Sequence, residues 1–132
     1  MGNVKGFFTA LRWQAGLSLG LLTLSSALLG DDNFHEFSEP HLKSGREIWL
    51  GTCVNCHATG FASAPSVTSI TAWRPRLEKP IEVLYQHALE GFYGEDYAHM
   101  PPRGGNDSLS DEQVKRAVDY MTELVKFMHE ER

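Results

Sequence analysis

The sequence predicts an all-α domain, and three observations carry that prediction. Val114, Ala117, Val118, Met121, Val125 and Met128 recur at helical spacing, the stripe that a core-facing helix needs. Shorter stretches upstream begin at a hydroxyl residue or a proline, and one of them ends at glycine, which are helix start and stop signals. No segment alternates apolar and polar residues over the length of a strand. The chain has 132 residues, enough for one domain with a modest core.

The first 30 residues read as a targeting segment. Lys5 and Arg12 precede an uncharged stretch from Trp13 to Gly30, and Asp31 and Asp32 follow at once. A positive start and an apolar centre make a signal peptide, and Ser25, Ser26 and Ala27 offer small residues for cleavage. The alternative is an uncleaved membrane anchor. The uncharged run is 18 residues, near the lower limit for spanning, and can be extended so that residues 7–29 form a tether. Cleavage is preferred, because Gly, Ser and Thr dilute the run. Residues 31–40 are acidic and polar, end at Pro40, and read as a linker; residues 41–132 form the domain.

A helix is expected from His41 to Thr52, with Leu42, Ile48 and Trp49 near one face. Gly45 inside it costs about 1 kcal/mol relative to alanine and so calls for a close helix crossing. That helix leads straight into Cys53-Val-Asn-Cys56-His57, and the chain has only these two cysteines. A Cys-x-x-Cys-His run is an attachment site for c-type haem, each cysteine forming a thioether and the histidine taking one axial face of the iron. A thioredoxin-like dithiol would sit beside a βαβ pattern, which is missing. A zinc site usually has four ligands and a second cysteine pair is also missing, although His57 and another histidine could contribute. One covalent haem c through Cys53 and Cys56 is therefore expected. Its attachment outside the cytoplasm, in a bacterial periplasm, fits the exported address.

Beyond the motif, Ala58 to Thr68 is a loop of small residues in which the Pro65 carbonyl could accept the free ring N–H of His57; a plain turn proline is the competing reading. A short helix from Thr71 to Lys79 would be capped by Thr71, with Pro75 tolerated in its first turn. Trp73 and Arg76 there could bond a haem propionate, the competing readings being a packing tryptophan and a solvent-facing arginine, and Arg103 is a further candidate contact. Pro80 opens a helix from Ile81 to Glu90, stopped by Gly91. Met100 then stands before Pro101 and Pro102, which hold the chain extended, as suits a thioether kept at a fixed distance from an iron. Its neighbour His99 is the competing sixth ligand. Ser110 and Gln113 make a capping box for the last helix, with Asp111 and Glu112 on the positive end of its dipole. Tyr120 would pack near Gly45 where the first and last helices cross.

Gly45, Trp49, Cys53-Val-Asn-Cys-His57, Ala64-Pro65, Trp73, Arg76, Ala88-Leu-Glu-Gly91, Met100-Pro-Pro-Arg-Gly-Gly and Leu109-Ser-Asp-Glu-Gln-Val together resemble the class I c-type cytochromes, most closely their short bacterial c-five branch. The likeness covers roughly residues 43–122. It implies a small class I cytochrome c fold of three to five helices around one haem, ligated by His57 and Met100, and it implies the Pro65 contact. Two features depart from the pattern: the extra cysteine pair of some members is missing, and Pro65 to Ile70 lacks the usual glycine-containing turn.

With both axial positions filled, the expected role is one-electron transfer rather than catalysis. The alternatives are a membrane-tethered haem subunit of a larger respiratory or dehydrogenase complex, and a haem enzyme or gas sensor with a displaceable sixth ligand. The chain carries 12 basic and 17 acidic side chains, a net charge of −5. That balance argues against nucleic acid and points to a redox partner protein with a basic docking surface.

Overall fold

The computed structural model describes residues 33–94 and 98–130, together with Gly2. The expected N-terminal hydrophobic helix, and the choice between signal peptide and tether, lie outside these residues. Helix α1 (Pro40–Ile48) opens on a proline whose missing N–H has no helical partner to lose in a first turn. It runs on through a widened turn (Trp49–Cys53) into α2 (Val54–His57). In the widened turn the N–H of Val54 bonds to the carbonyl of Trp49, five residues back instead of four. The helix expected to end at Thr52 thus carries on through the cysteine motif, and both Trp49 and His57 are buried.

Helix α5 (Asp111–Glu130) begins with the predicted capping box made in both directions. The Gln113 amide donates to Ser110 Oγ at 3.3 Å, and the Ser110 amide donates to Gln113 Oε1 at 2.8 Å. Its apolar stripe supplies much of the core: Val114, Ala117, Val118, Met121, Leu124 and Val125 are buried. Where α1 crosses α5, a Cβ on Gly45 would lie 2.1 Å from the carbonyl oxygen of Arg116 and 3.0 Å from Tyr120 Cβ. No side chain fits there, so the predicted close crossing rests on this glycine. Trp49 and Tyr120 pack beside it with ring centroids 5.7 Å apart, both fully buried.

Residues 33–39, which composition marks as linker, lie against this crossing. Phe34 meets Trp49 edge-on at 4.7 Å, Phe37 meets Tyr120 and Phe127, and His35 stacks on Phe127 at 3.9 Å. Two bonds fix the segment's backbone: Tyr120 Oη donates to the His35 carbonyl at 2.8 Å, and Arg46 Nε donates to the Phe34 carbonyl at 3.2 Å. The aromatic residues among the acids decide the outcome.

Helix α3 (Ile70–Leu77) is capped by Ser69, whose hydroxyl accepts from the Ala72 amide at 3.3 Å, and not by Thr71. Pro75 consequently falls beyond the first turn and removes one main-chain bond from a short helix. Helix α4 (Ile81–Glu90) has its predicted bounds, with Gly91 closing it at φ 84°. A two-residue antiparallel ribbon follows, β1 (Phe92–Tyr93) with β2 (His99–Met100), pairing Phe92 with Met100 and Tyr93 with His99. It is too short to leave an alternating pattern in the sequence. The domain is otherwise all-α, as predicted.

Gly45→Ala is expected to destabilise the haem-loaded protein by about 3 kcal/mol, because two backbones must separate to admit the methyl. Gly51→Ala, where a Cβ meets nothing within 4 Å, should be neutral or stabilising by up to about 1 kcal/mol. Thermal unfolding of the two variants side by side checks both.

Candidate haem site

The continuous α1–α2 rod delivers the cysteine motif to one side of an apolar cleft of about 330 Å³, counting its open mouth. Cys53 and His57 line the cleft from this side. Met100 enters from the ribbon, Arg103 and Gly104 from the turn after it, and Val114, Ala117, Val118 and Met121 from α5. Cys56, half-buried, precedes His57 on α2.

His57 is held by its outer nitrogen. Its Nδ1 lies 3.0 Å from the Pro65 carbonyl oxygen, which can only accept, so the proton sits on Nδ1 and the lone pair of Nε2 is free for a metal. The Val67 amide bonds to the His57 carbonyl at 2.8 Å and closes the same loop. Burial pushes the imidazole pKa below its ordinary value. The Pro65 contact opposes that shift, and the Arg76 charge reinforces it. The ring is thereby kept neutral, the form that ligates.

Burial, with the Cys56 charge adding to it, raises the Cys53 thiol to about 11. Thiol–disulfide catalysts need the opposite shift. The dithiol reading therefore lacks its chemistry here. Among the described residues no group of three or more His, Cys, Asp or Glu side chains converges as a metal cluster.

The methionine wall is built from the loop's own bonds. Pro101 is extended (φ −69°, ψ 154°), then Arg103 and Gly104 turn through positive φ of 53° and 65°. Arg103 donates to the Leu109 carbonyl at 2.9 Å and to Asp111 Oδ1 at 2.6 Å, tying the turn to the start of α5. Asn106 Nδ2 donates to Thr52 Oγ1 at 3.2 Å, tying it to the residue before Cys53. A Cβ on Gly104 would sit 3.0 Å from Thr52 Cγ2, so the turn and the rod are in close contact.

Alternation along the ribbon separates the two candidate ligands. Met100 lines the cleft, whereas His99 is exposed and stacks on Tyr93 with centroids 4.2 Å apart. Arg76 bonds the Ala72 carbonyl of its own helix. Trp73 is buried with its ring 6.5 Å from that of His57, and its indole N–H has no partner. A buried unpaired donor of this kind fits an anionic acceptor such as a haem propionate. Sequence reasoning missed Thr52, Asn106 and Met121. Met121 was read as core alone, yet the cleft wall and the core stripe are the same residues.

A family described as "Cytochrome C oxidase, cbb3-type, subunit III" matches residues 40–121. The chain belongs to the class I c-type cytochromes. This cytochrome is 37% identical over 78 residues to cytochrome c-555 of Chlorobaculum thiosulfatiphilum, covering 59% of this chain and 90% of the relative. It is 31% identical over 84 residues to cytochrome c5 of Azotobacter vinelandii, covering 62% of this chain and 95% of the relative. Among solved structures it is similar to a chain of a crystal structure of an electron transfer complex of nitrite reductase with cytochrome c. That match has a TM-score of 0.55 and 33% identity, covering 66% of this chain and 96% of the other. The cytochrome family implies covalently bound haem c, and an apolar cleft lined by a thiol, a neutral imidazole and a thioether, with a second thiol beside it on α2 and an orphan indole N–H on the ring packed near His57, fits that group.

Arg103→Gln should lower stability by about 1 kcal/mol, since the ion pair is largely solvent-screened and the bond to Leu109 carries most of the loss. Asp111→Asn should cost less. Denaturant unfolding of both variants orders them.

Proposed function

We propose that the protein is a one-electron carrier working outside the cytoplasm. It would hold a single haem through Cys53 and Cys56, with His57 and Met100 as the axial ligands. The observation that carries this reading is the His57–Pro65 contact at 3.0 Å, with Met100 lining the same cleft. The curated relatives support the electron-transfer role, being named as cytochromes themselves, and this chain spans 71–95% of cytochromes c-555 and c5 from five organisms. That coverage favours a carrier over a fixed subunit. Export rests on the N-terminal segment read from sequence. No helix among the described residues is long and apolar enough to cross a membrane.

Haem supplies the one-electron couple of its iron. The residues of this chain supply constancy around it. Pro65 keeps the His57 ring in one tautomer and one orientation, which strengthens the imidazole as a donor. Val114, Ala117, Val118 and Met121 exclude water from the cleft, and a dry pocket with a thioether ligand raises the potential relative to two histidines. Trp73 would donate its buried N–H to a propionate. Arg103 and Asn106 hold the methionine turn in place and so limit movement when the charge changes. Two protein ligands leave no site for a substrate, which makes the reading that of a carrier and not an enzyme. Partners are redox proteins. Net charge −5 favours one with a basic surface at long range, and the similar cytochrome c crystallised with nitrite reductase is a precedent for such a partner.

Met100→Ala is expected to lower the midpoint potential by on the order of 0.1 V, within the ~0.8 V range that axial ligands command. It should also let carbon monoxide bind the reduced protein. Spectroelectrochemistry of the variant checks this, and an unchanged potential with no ligand binding would remove Met100 from the coordination sphere. His99→Ala should leave the potential near that of the parent.

A further inference from the structure

The Pro65 carbonyl can orient His57 only if the loop that carries it is itself held, and the loop's own geometry works against that. The chain leaves α2 at Ala58 and returns at Ser66. At the tip Ala62 and Ser63 take φ of 52° and 61°, a left-handed conformation that costs non-glycine residues free energy and persists only where the surroundings enforce it. Three bonds close the loop's neck. Ser66 Oγ donates to the Ala58 carbonyl at 2.8 Å, the Val67 amide to the His57 carbonyl at 2.8 Å, and His57 Nδ1 to the Pro65 carbonyl at 3.0 Å. All three join one end of the loop to the other, so they set the width of the neck and not its seat against the rest of the domain.

The seat comes from the far end of the chain. Val67 is fully buried and belongs to the same core cluster as Leu124 and Val125 of α5. Its carbonyl is met by His129, the residue before the last of α5, with Nε2 at 3.2 Å. A carbonyl only accepts, so His129 carries its proton on Nε2. Helix ends fray, but this one is held on both sides of the histidine's neighbours: Met128 packs on the core, and His35 stacks on Phe127. His129 also lies outside residues 40–121, the stretch that matches the family.

We propose that His129 is a positioning residue for the haem ligand: by donating to the Val67 carbonyl it seats the loop so that the Pro65 carbonyl keeps its bond to the His57 ring. The inference rests on the carrier reading, with His57 as the ligand. Val67 is bonded through both of its backbone polar groups, its amide to His57 and its carbonyl to His129, and Pro65 stands two residues before it. A shift of Val67 relative to α5 therefore moves the Pro65 oxygen as well. A longer bond from Nδ1 to Pro65 leaves the imidazole a weaker donor, and a weaker donor favours the ferrous over the ferric state. Loss of the His129 N–H should accordingly raise the midpoint potential.

The test compares His129→Leu, which removes the N–H and keeps bulk, with His129→Gln, which returns an N–H at similar reach. Haem-loaded protein is read in two ways, by midpoint potential and by NMR hydrogen exchange of the His57 Nδ1 proton. His129→Leu should move the ferric-to-ferrous balance about threefold toward ferrous, an upward shift of about 30 mV at about 59 mV per tenfold for one electron. It should also speed exchange of the ring proton by about tenfold, the lower end of what partners of a metal ligand command. His129→Gln should restore both readings to those of the parent. His129→Ala should repeat the leucine result, and it stands in if leucine is not accommodated. The proposal is overturned by Leu and Ala variants that leave both readings unchanged, by a glutamine variant displaced as far as leucine, or by a potential that moves while ring-proton exchange does not. A parent protein with no reversible one-electron couple would instead sink the carrier reading, a failure visible before any variant is made.

Discussion

The Arg116 carbonyl lies where a methyl on Gly45 would have to be, and the geometry of the domain follows from that contact. Two helices can approach this closely only with a bare Cα at the crossing, and the approach sets the distance between α1 and α5. Tyr120 and Trp49 fill the space beside the crossing, and the 33–39 segment covers it from outside through the Tyr120–His35 and Arg46–Phe34 bonds. One face of α5 then belongs to the crossing and the adjoining face lines the cleft. Any change in interhelical distance at Gly45 would be felt at once by Val118 and Met121, beside the crossing on α5, and along the α1–α2 rod by Cys53 and His57. Packed interiors transmit such shifts because they have little room to absorb them.

The chemistry of the site is a consequence of burial arranged in two different ways. Around Cys53 it is nearly uncompensated, so the thiol holds its proton up to about pH 11. At His57 one carbonyl, that of Pro65, takes the ring proton on the far side and leaves the near nitrogen with its lone pair. A reactive dithiol needs stabilised thiolate, and a metal ligand needs neutral imidazole; this pocket offers the second and refuses the first. The same low-polarity setting strands the indole N–H groups of Trp49 and Trp73. Trp73 lies beside His57 and has a use in the carrier reading. Trp49 lies against Phe34 of the 33–39 segment, and nothing in the structure gives its N–H a role.

How much of this was legible depended on whether the physics is local. The capping box of α5 and the proline-to-glycine bounds of α4 are written in a few adjacent residues, and both were found as read. Gly45 was legible because a glycine inside a helix costs stability unless something needs the space. The widened turn at Trp49–Cys53 left no trace, since it is a choice between two hydrogen-bond partners that the same residues can make. Ser69 and Thr71 are both hydroxyl caps two residues apart, and only the tertiary path of the loop decides between them. Phe34 and Phe37 were hidden among acids and therefore read as linker. At the site, Cys53, His57 and Met100 were named from motif and loop chemistry and Pro65 mainly from the family resemblance, and the structure puts the Pro65 carbonyl 3.0 Å from His57 Nδ1 and Met100 in the cleft that His57 lines. Thr52 and Asn106 could not, because a bond spanning 54 positions has no signature in either neighbourhood.

The two walls of the cleft differ in how they are held, and this bears on how a carrier keeps its geometry. The histidine wall is a continuous helical rod, packed in the core and closed by main-chain bonds at His57 and Val67. The methionine wall is a short ribbon and a turn with positive φ at Arg103 and Gly104, fastened by three side-chain bonds, one of them to a mostly exposed aspartate. Segments with few buried contacts and solvent-reachable bonds open at lower free energy than packed helices. Local opening of this domain should therefore begin at the methionine side while the histidine side stays closed. A covalent attachment through Cys53 and Cys56, as proposed, would make that asymmetry tolerable. If Met100 ligates as proposed, opening of the softer wall would disturb that one ligand and leave the group in place, so the wall could close again without rebinding anything.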